Sequence, residues 1–269
     1  MKYLKLAGWL ILYLLVYLLS TLLAWIVLVT HHFLRAFLSG GEFLPIEQFM
    51  ARNMMPALVI SGVLIVAAGF TVVLLRGRNP LHYLEFRALP ARHAAAAVLV
   101  GCGFAVFLNS FMTLIEIHRF LPDYISEPIL QMVTDNFFLT FLAVGIVAPV
   151  YEEILLRGLI FKELLHTVKP GMAIAIQALL FGLIHGNMLQ FIYAFPMGMF
   201  LGYALLKFRS IWAPILVHLA WNSASLIMGA VLPESAGFGL FVLLMLAGGI
   251  LFAGGILYTA VQGHAPADN

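Results

Sequence analysis

The chain has 269 residues, of which 63% are hydrophobic and only 10% charged, with a mean hydropathy of +1.05. Soluble domains carry about 25% charged residues, so a water-soluble globule is excluded. The formal net charge of +2 is small and scattered, with no basic block, which argues against a nucleic-acid partner.

Apolar runs of the length needed to cross about 30 Å of hydrocarbon as helices recur along the chain. The first, about 6 to 29, follows Lys2 and Lys5 and is too long for the core of a cleavable signal peptide, so it reads as an uncleaved span. Further runs fall near 54–75, 94–117, 137 to the 160s, 172–185, 189–206, 211–230 and 238–261, making eight. None alternates apolar with polar residues as barrel strands do. The expected fold is therefore all-α, a polytopic membrane protein of about eight transmembrane helices forming a single membrane domain over 1–269. The fourth run is longer than a span needs. Gly248 to Leu257 reads as a small-residue face for close helix packing. The lone Cys102, inside an apolar run, reads as packing.

Between the second and third runs, Arg76, Arg78, Arg87 and Arg92 interleave with Leu81, Tyr83, Leu84 and Phe86. This pattern suits a segment on an anionic headgroup surface, and equally a plain basic loop. Eight spans put both termini and the 2/3, 4/5 and 6/7 loops on one side, with eleven Lys and Arg against three on the other. By the positive-inside rule both termini are expected in the cytosol, with the chain in the cell membrane if its source is prokaryotic.

Ionisable groups deep in apolar runs are costly and mark function by default. Glu152, Glu153 and Arg157 fall in the fourth run, His185 in the fifth, and His218 with Asn222 in the seventh. Glu116, His118, His31 and His32 fall at span ends, where solvation accounts for them. Glu153 and Arg157 are four apart and share a helix face, so they can pair. Glu152 points about 100° away and is left without that partner, which suits proton transfer. With a turn near Thr167 to Gly171, Glu152 and His185 are nearly equidistant from it, each roughly 25 Å away in an antiparallel hairpin. His218 and Asn222, also four apart, share a face below the surface. A carboxylate and histidine that activate water, facing a histidine and an amide that stabilise an oxyanion, make a hydrolase of the acyl-transfer type. Phe181, one turn before His185, packs beside it. A non-catalytic membrane partner or immunity protein using the same polar network is the main alternative. A proton-coupled transporter is a third reading, weakened by the lack of inverted-repeat symmetry.

The segments Glu152-Glu153-Ile-Leu-Leu-Arg157, Phe181-Gly-Leu-Ile-His185 and His218-Leu-Ala-Trp-Asn222 resemble, in order, the three motifs of the CPBP intramembrane proteases, which include type II CAAX prenyl endopeptidases and the bacteriocin-linked Abi proteins. The resemblance implies a protease core over about 137–230. It assigns water activation to Glu152 and His185, the oxyanion site to His218 and Asn222, and support to Glu153, Arg157 and Phe181. Leu156 departs from the aromatic that many members carry before the arginine. The implied partners are the lipid bilayer and a membrane-associated peptide or protein substrate, prenylated, leader-bearing or itself transmembrane. No obligatory cofactor is expected. Zinc held by Glu152, His185 and His218 is the other possibility, since one carboxylate and two imidazoles form a three-ligand set with an open position.

Overall fold

A computed structural model describes residues 1–41, 43–120, 136–186, 188–233 and 236–261. Its elements are helical: α1 (Lys2–Ser39), α2 (Ile46–Leu75), a short α3 (Pro80–Tyr83), α4 (Ala91–Leu114), α5 (Phe137–Leu165), α6 (Pro170–Ile184), α7 (Met188–Phe208), α8 (Trp212–Val231) and α9 (Phe238–Val261). The protein is an all-α polytopic membrane protein. Seven of these helices are long and apolar enough to cross a membrane, and α6, with 15 residues, is the short eighth. At 1.5 Å per residue α6 rises about 22 Å, less than a hydrocarbon core.

The helices outrun the apolar runs that announced them. α1 is 38 residues, roughly 57 Å, and ends at Gly40, which closes the helix in the left-handed conformation (φ 63°). Hydropathy reports depth in the membrane, whereas the helix continues until a residue stops it.

The shortness of α6 does not upset the topology. α6 and α7 form an antiparallel hairpin and return the chain to the end it left. At that end Lys2 donates to the Thr167 carbonyl, Arg76 pairs with Glu163, Ile211 N–H donates to the Glu85 carbonyl and Lys207 donates to the Ala260 carbonyl. The start of α1, the end of α9 and the 2/3, 4/5 and 6/7 loops therefore gather on one face of the bundle, as the parity of eight apolar helices requires. At the other end Glu116 pairs with Arg119, and the side chain of His118 lies outside the described residues.

α4 packs against α8 and α9 at backbone contact distance. A Cβ at Gly101 would stand 2.2 Å from the Val217 carbonyl oxygen, and one at Gly248 2.4 Å from the Phe107 nitrogen. The small-residue face read at Gly248 to Leu257 thus seats α9 on α4. α5 runs through the centre and is covered by α1, α2, α6 and α8, its stretch Ile154–Ile160 wholly buried.

The 76–93 segment is anchored to the helix bundle. The carbonyls of Tyr83, Glu85 and Arg87 accept from Lys162, Ile211 and Ser210, so the segment is pinned to the ends of α5 and α7. These partners lie about 80 to 120 residues away, beyond the reach of a local pattern.

Candidate active site

α5 is not a regular helix. Two stretches of wide, i to i+5 winding, Phe141–Val147 and Ile154–Ile160, flank one short α-helical stretch, Ala148–Glu153. Wide turns of this kind are concentrated at functional sites. Glu152 and Glu153 close that α-helical stretch, and their side chains diverge.

Glu153 turns into the core and is fully buried. Its Oε1 accepts from Arg157 Nη1 at 2.8 Å and from His218 Nδ1 at 2.8 Å. Arg157, also fully buried, donates through Nη2 to the Gly198 carbonyl at 3.3 Å and stacks its guanidinium 4.5 Å from the Phe181 ring centre. The same Gly198 carbonyl accepts from Gln177 Nε2 at 2.7 Å. One carboxylate, one guanidinium and one carbonyl therefore tie α5, α6, α7 and α8 together without leaving a cation unpaired in low dielectric.

Glu152 turns the other way, into a cavity of about 520 Å³. His185, His218 and Asn222 line the same cavity, so the four residues singled out in the sequence meet in one space. His185 sits at the C-terminal end of α6, where Gly186, at φ 64°, ends the helix. Its Nδ1 lies 2.7 Å from the Phe181 carbonyl, an acceptor only, so Nδ1 carries the proton and the neutral ring keeps its lone pair on Nε2. His218 stands between the two carboxylates, with Nδ1 on Glu153 and Nε2 3.9 Å from Glu152 Oε2. Because a carboxylate accepts, Nδ1 of His218 is the protonated nitrogen. Phe181 meets both imidazoles edge to face, and Trp221 stacks on His218. Both rings are thereby held in fixed orientations. Glu152 Oε2 is shielded and has no hydrogen-bond partner among the described residues.

Asn222 follows His218 by one turn, and its amide donates to the Val144 carbonyl at 2.9 Å, while Ser223 donates to the Gly145 carbonyl at 3.3 Å. Both carbonyls belong to the first wide stretch of α5. One of the two N–H bonds of the Asn222 amide is thus spent on positioning, and the second is the one available to a substrate oxygen.

Residues 134–224 match the model of a family described as Type II CAAX prenyl endopeptidase Rce1-like. All three motif segments fall inside the matched stretch. The chain is also similar to "Putative membrane peptidase YdiL" of Bacillus subtilis (strain 168), at 31% identity over 84 residues, which is 31% of this chain and 34% of that protein. The chain thus spans about a third of the length of the curated relative it matches. No solved structure matches it.

All seven residues picked from the sequence lie within the matched segment 134–224. Among the described residues no three or more His, Cys, Asp and Glu side chains are grouped as a metal ion would require. Glu152, His185 and His218 line one cavity, and the hydrogen bond from His218 Nδ1 to Glu153 leaves its Nε2 facing that cavity. Two contributors to the site escaped the sequence reading. Asn109 of α4 donates to Ser225 Oγ at 2.9 Å across the wall of the cavity, and buried Gln177 holds the Gly198 carbonyl. Each is an amide inside an apolar run, and neither falls in the three motif segments.

Proposed function

We propose that this chain is an intramembrane endopeptidase that hydrolyses a peptide bond of a membrane-associated substrate, with both termini in the cytosol. The observation that carries the reading is the meeting of Glu152, His185, His218 and Asn222 in one cavity set within the helix bundle. A water held between Glu152 and Nε2 of His185 gives up a proton to the Glu152 carboxylate as its oxygen adds to the scissile carbonyl. The developing oxyanion takes hydrogen bonds from the second Asn222 N–H and from His218, whose ring is held in place from its far side by Glu153. Collapse of the tetrahedral intermediate breaks the C–N bond. Glu152 then returns its proton to the leaving amine, so the products are a carboxylic acid and an amine and no other reactant is consumed.

The substrate class is the membrane-associated chain whose bond reaches the cavity, with a prenylated peptide in first place because of the Rce1-like core. The test compares new peptide termini in native membranes holding wild type or Glu152→Gln at matched, folded levels. Termini present with wild type and absent with the variant are expected. Identical termini, with the variant rescuing every phenotype of a deletion strain, would overturn the reading in favour of a non-catalytic membrane partner.

A further inference from the structure

A second cavity, of about 300 Å³, lies at the loop end of the bundle and shares no lining residue with the first. Among the described residues, Arg78, Arg87, Lys162 and Arg209 line it, with one carboxylate, Glu85. Glu85 lies 3.3 Å from Lys162 and 3.9 Å from Arg209, so one negative group is shared by two cations and the wall keeps a positive excess. The arrangement is built rather than a chance cluster of mobile side chains. Lys162 also donates to the Tyr83 carbonyl, and the Arg78 guanidinium lies 5.2 Å from the Tyr83 ring centre. Arg209 Nε is shielded and lacks a hydrogen-bond partner among the described residues.

The backbone is strained at this place. Three non-glycine residues among those described have positive φ, and two of them, Glu85 (φ 60°) and Arg209 (φ 50°), face each other across this cavity. Neither is a residue type that favours the left-handed region, and such strain collects at ligand sites. The bond from Ile211 N–H to the Glu85 carbonyl locks the two strained positions together. Leu75, Leu81 and Trp212 are exposed on the surrounding segments, giving apolar surface beside a polar opening. An anionic head with an attached aliphatic chain finds charge and cover in one place.

We infer that this cavity binds a phosphate group, held by Arg78, Lys162 and Arg209, with the headgroup of an anionic phospholipid as its source. Guanidinium forks suit phosphate oxygens, and a tetrahedral anion here would draw Lys162 and Arg209 away from their shared carboxylate. The inference stands apart from the peptidase reading, because none of these side chains lines the cavity of Glu152.

The test uses the full chain purified in detergent and equilibrated with equal amounts of phosphatidylglycerol and phosphatidylcholine of the same acyl length, bound lipid being counted by native mass spectrometry. Wild type is expected to retain phosphatidylglycerol selectively. Arg78→Gln, at an exposed position where folding is not at stake, and Arg209→Asn, whose new side chain tolerates the left-handed backbone, should each weaken retention about tenfold. Arg52→Gln, at the opposite end of the bundle, should leave it unchanged. A parallel titration with inorganic phosphate and pyrophosphate separates the sources. Displacement of the lipid at comparable concentration upholds the phosphate site and shifts its source to free phosphate. Equal retention of the two lipids by wild type, or retention by both cavity variants equal to that of Arg52→Gln, overturns the site.

Discussion

On the proposed peptidase reading the Glu153 cluster both holds the bundle together and orients His218, and paired substitutions should separate the two roles. Glu153 Oε1 receives Arg157 and His218 at 2.8 Å each, and none of the three side chains is more than 2% exposed. Arg157→Met leaves a buried carboxylate with only an imidazole beside it. Glu153→Gln leaves a buried guanidinium with a carbonyl and an aromatic face. Removing one partner of a buried pair costs about 3–5 kcal/mol, whereas replacing both with neutral groups of similar volume is close to neutral. At about 2–4 °C per kcal/mol for a chain of this size, each single variant should melt roughly 6–20 °C below wild type. The double variant Glu153→Gln/Arg157→Met should recover most of that loss. Its peptide cleavage should nonetheless fall about tenfold, because the bond orienting His218 changes from a carboxylate to a neutral amide, worth roughly 1–1.5 kcal/mol less. Thermal unfolding in detergent, with cleavage measured on the same preparations, reads both effects. Single variants as stable as wild type, or a double variant no more stable than the singles, would refute the reasoning.

Three further outcomes are expected. Gly101→Ala forces a Cβ to within 2.2 Å of the Val217 carbonyl oxygen, next to His218, and should cost about 1–3 kcal/mol of stability while lowering cleavage more than the same change at Gly171, where a Cβ meets open space. Tyr83, outside the spans, has its hydroxyl pushed up to about 12 by burial and by the neighbouring Glu163 carboxylate. An unfolded tyrosine ionises near 10, so the folded state holds the proton more tightly, and the stability this confers is present below about pH 10 and lost as the pH climbs toward 12. Melting followed from pH 9 to 12 should therefore decline less steeply in Tyr83→Phe, and an identical decline would discard this account. Cleavage should persist in a strong chelator, and a loss restored by zinc would overturn the metal-free chemistry.

Much of the fold could be read from apolar runs because a bilayer punishes any other pattern. The last run, 238–261, coincides with α9, and the third differs from α4 by about three residues at each end. The first run missed the beginning and end of α1 because Lys2, His31 and Arg35 are solvated there yet still helical. The deep polar residues were legible for the same reason as the spans: each is expensive where it stands. What could not be read was partnership. Glu153 was paired with Arg157 by spacing alone, and its second partner, His218, lies 65 residues further on. The 76–93 segment carries a basic amphipathic pattern, but its anchoring by Lys162 and Ser210 depends on how the helix ends converge.

The winding of α5 is the least foreseeable feature, yet Glu152 and His185, expected at matching depth, line one cavity. A strict 3.6-residue period assigns Glu152 and Glu153 their directions, and the α-helical stretch Ala148–Glu153 obeys it locally. On either side the helix widens, which shifts the register of what precedes and follows by a fraction of a turn. The first wide stretch presents the Val144 and Gly145 carbonyls to Asn222 and Ser223 of α8. The second carries Arg157 round to the buried side, where it reaches Glu153 and Gly198 together. Wide winding lowers the rise per residue over Ile154–Ile160, and Glu152 and His185 still open into the same cavity. Azimuth decides which carboxylate faces the cavity and which faces the core. Two adjacent glutamates can then do different work, because a regular stretch sits between two widened ones.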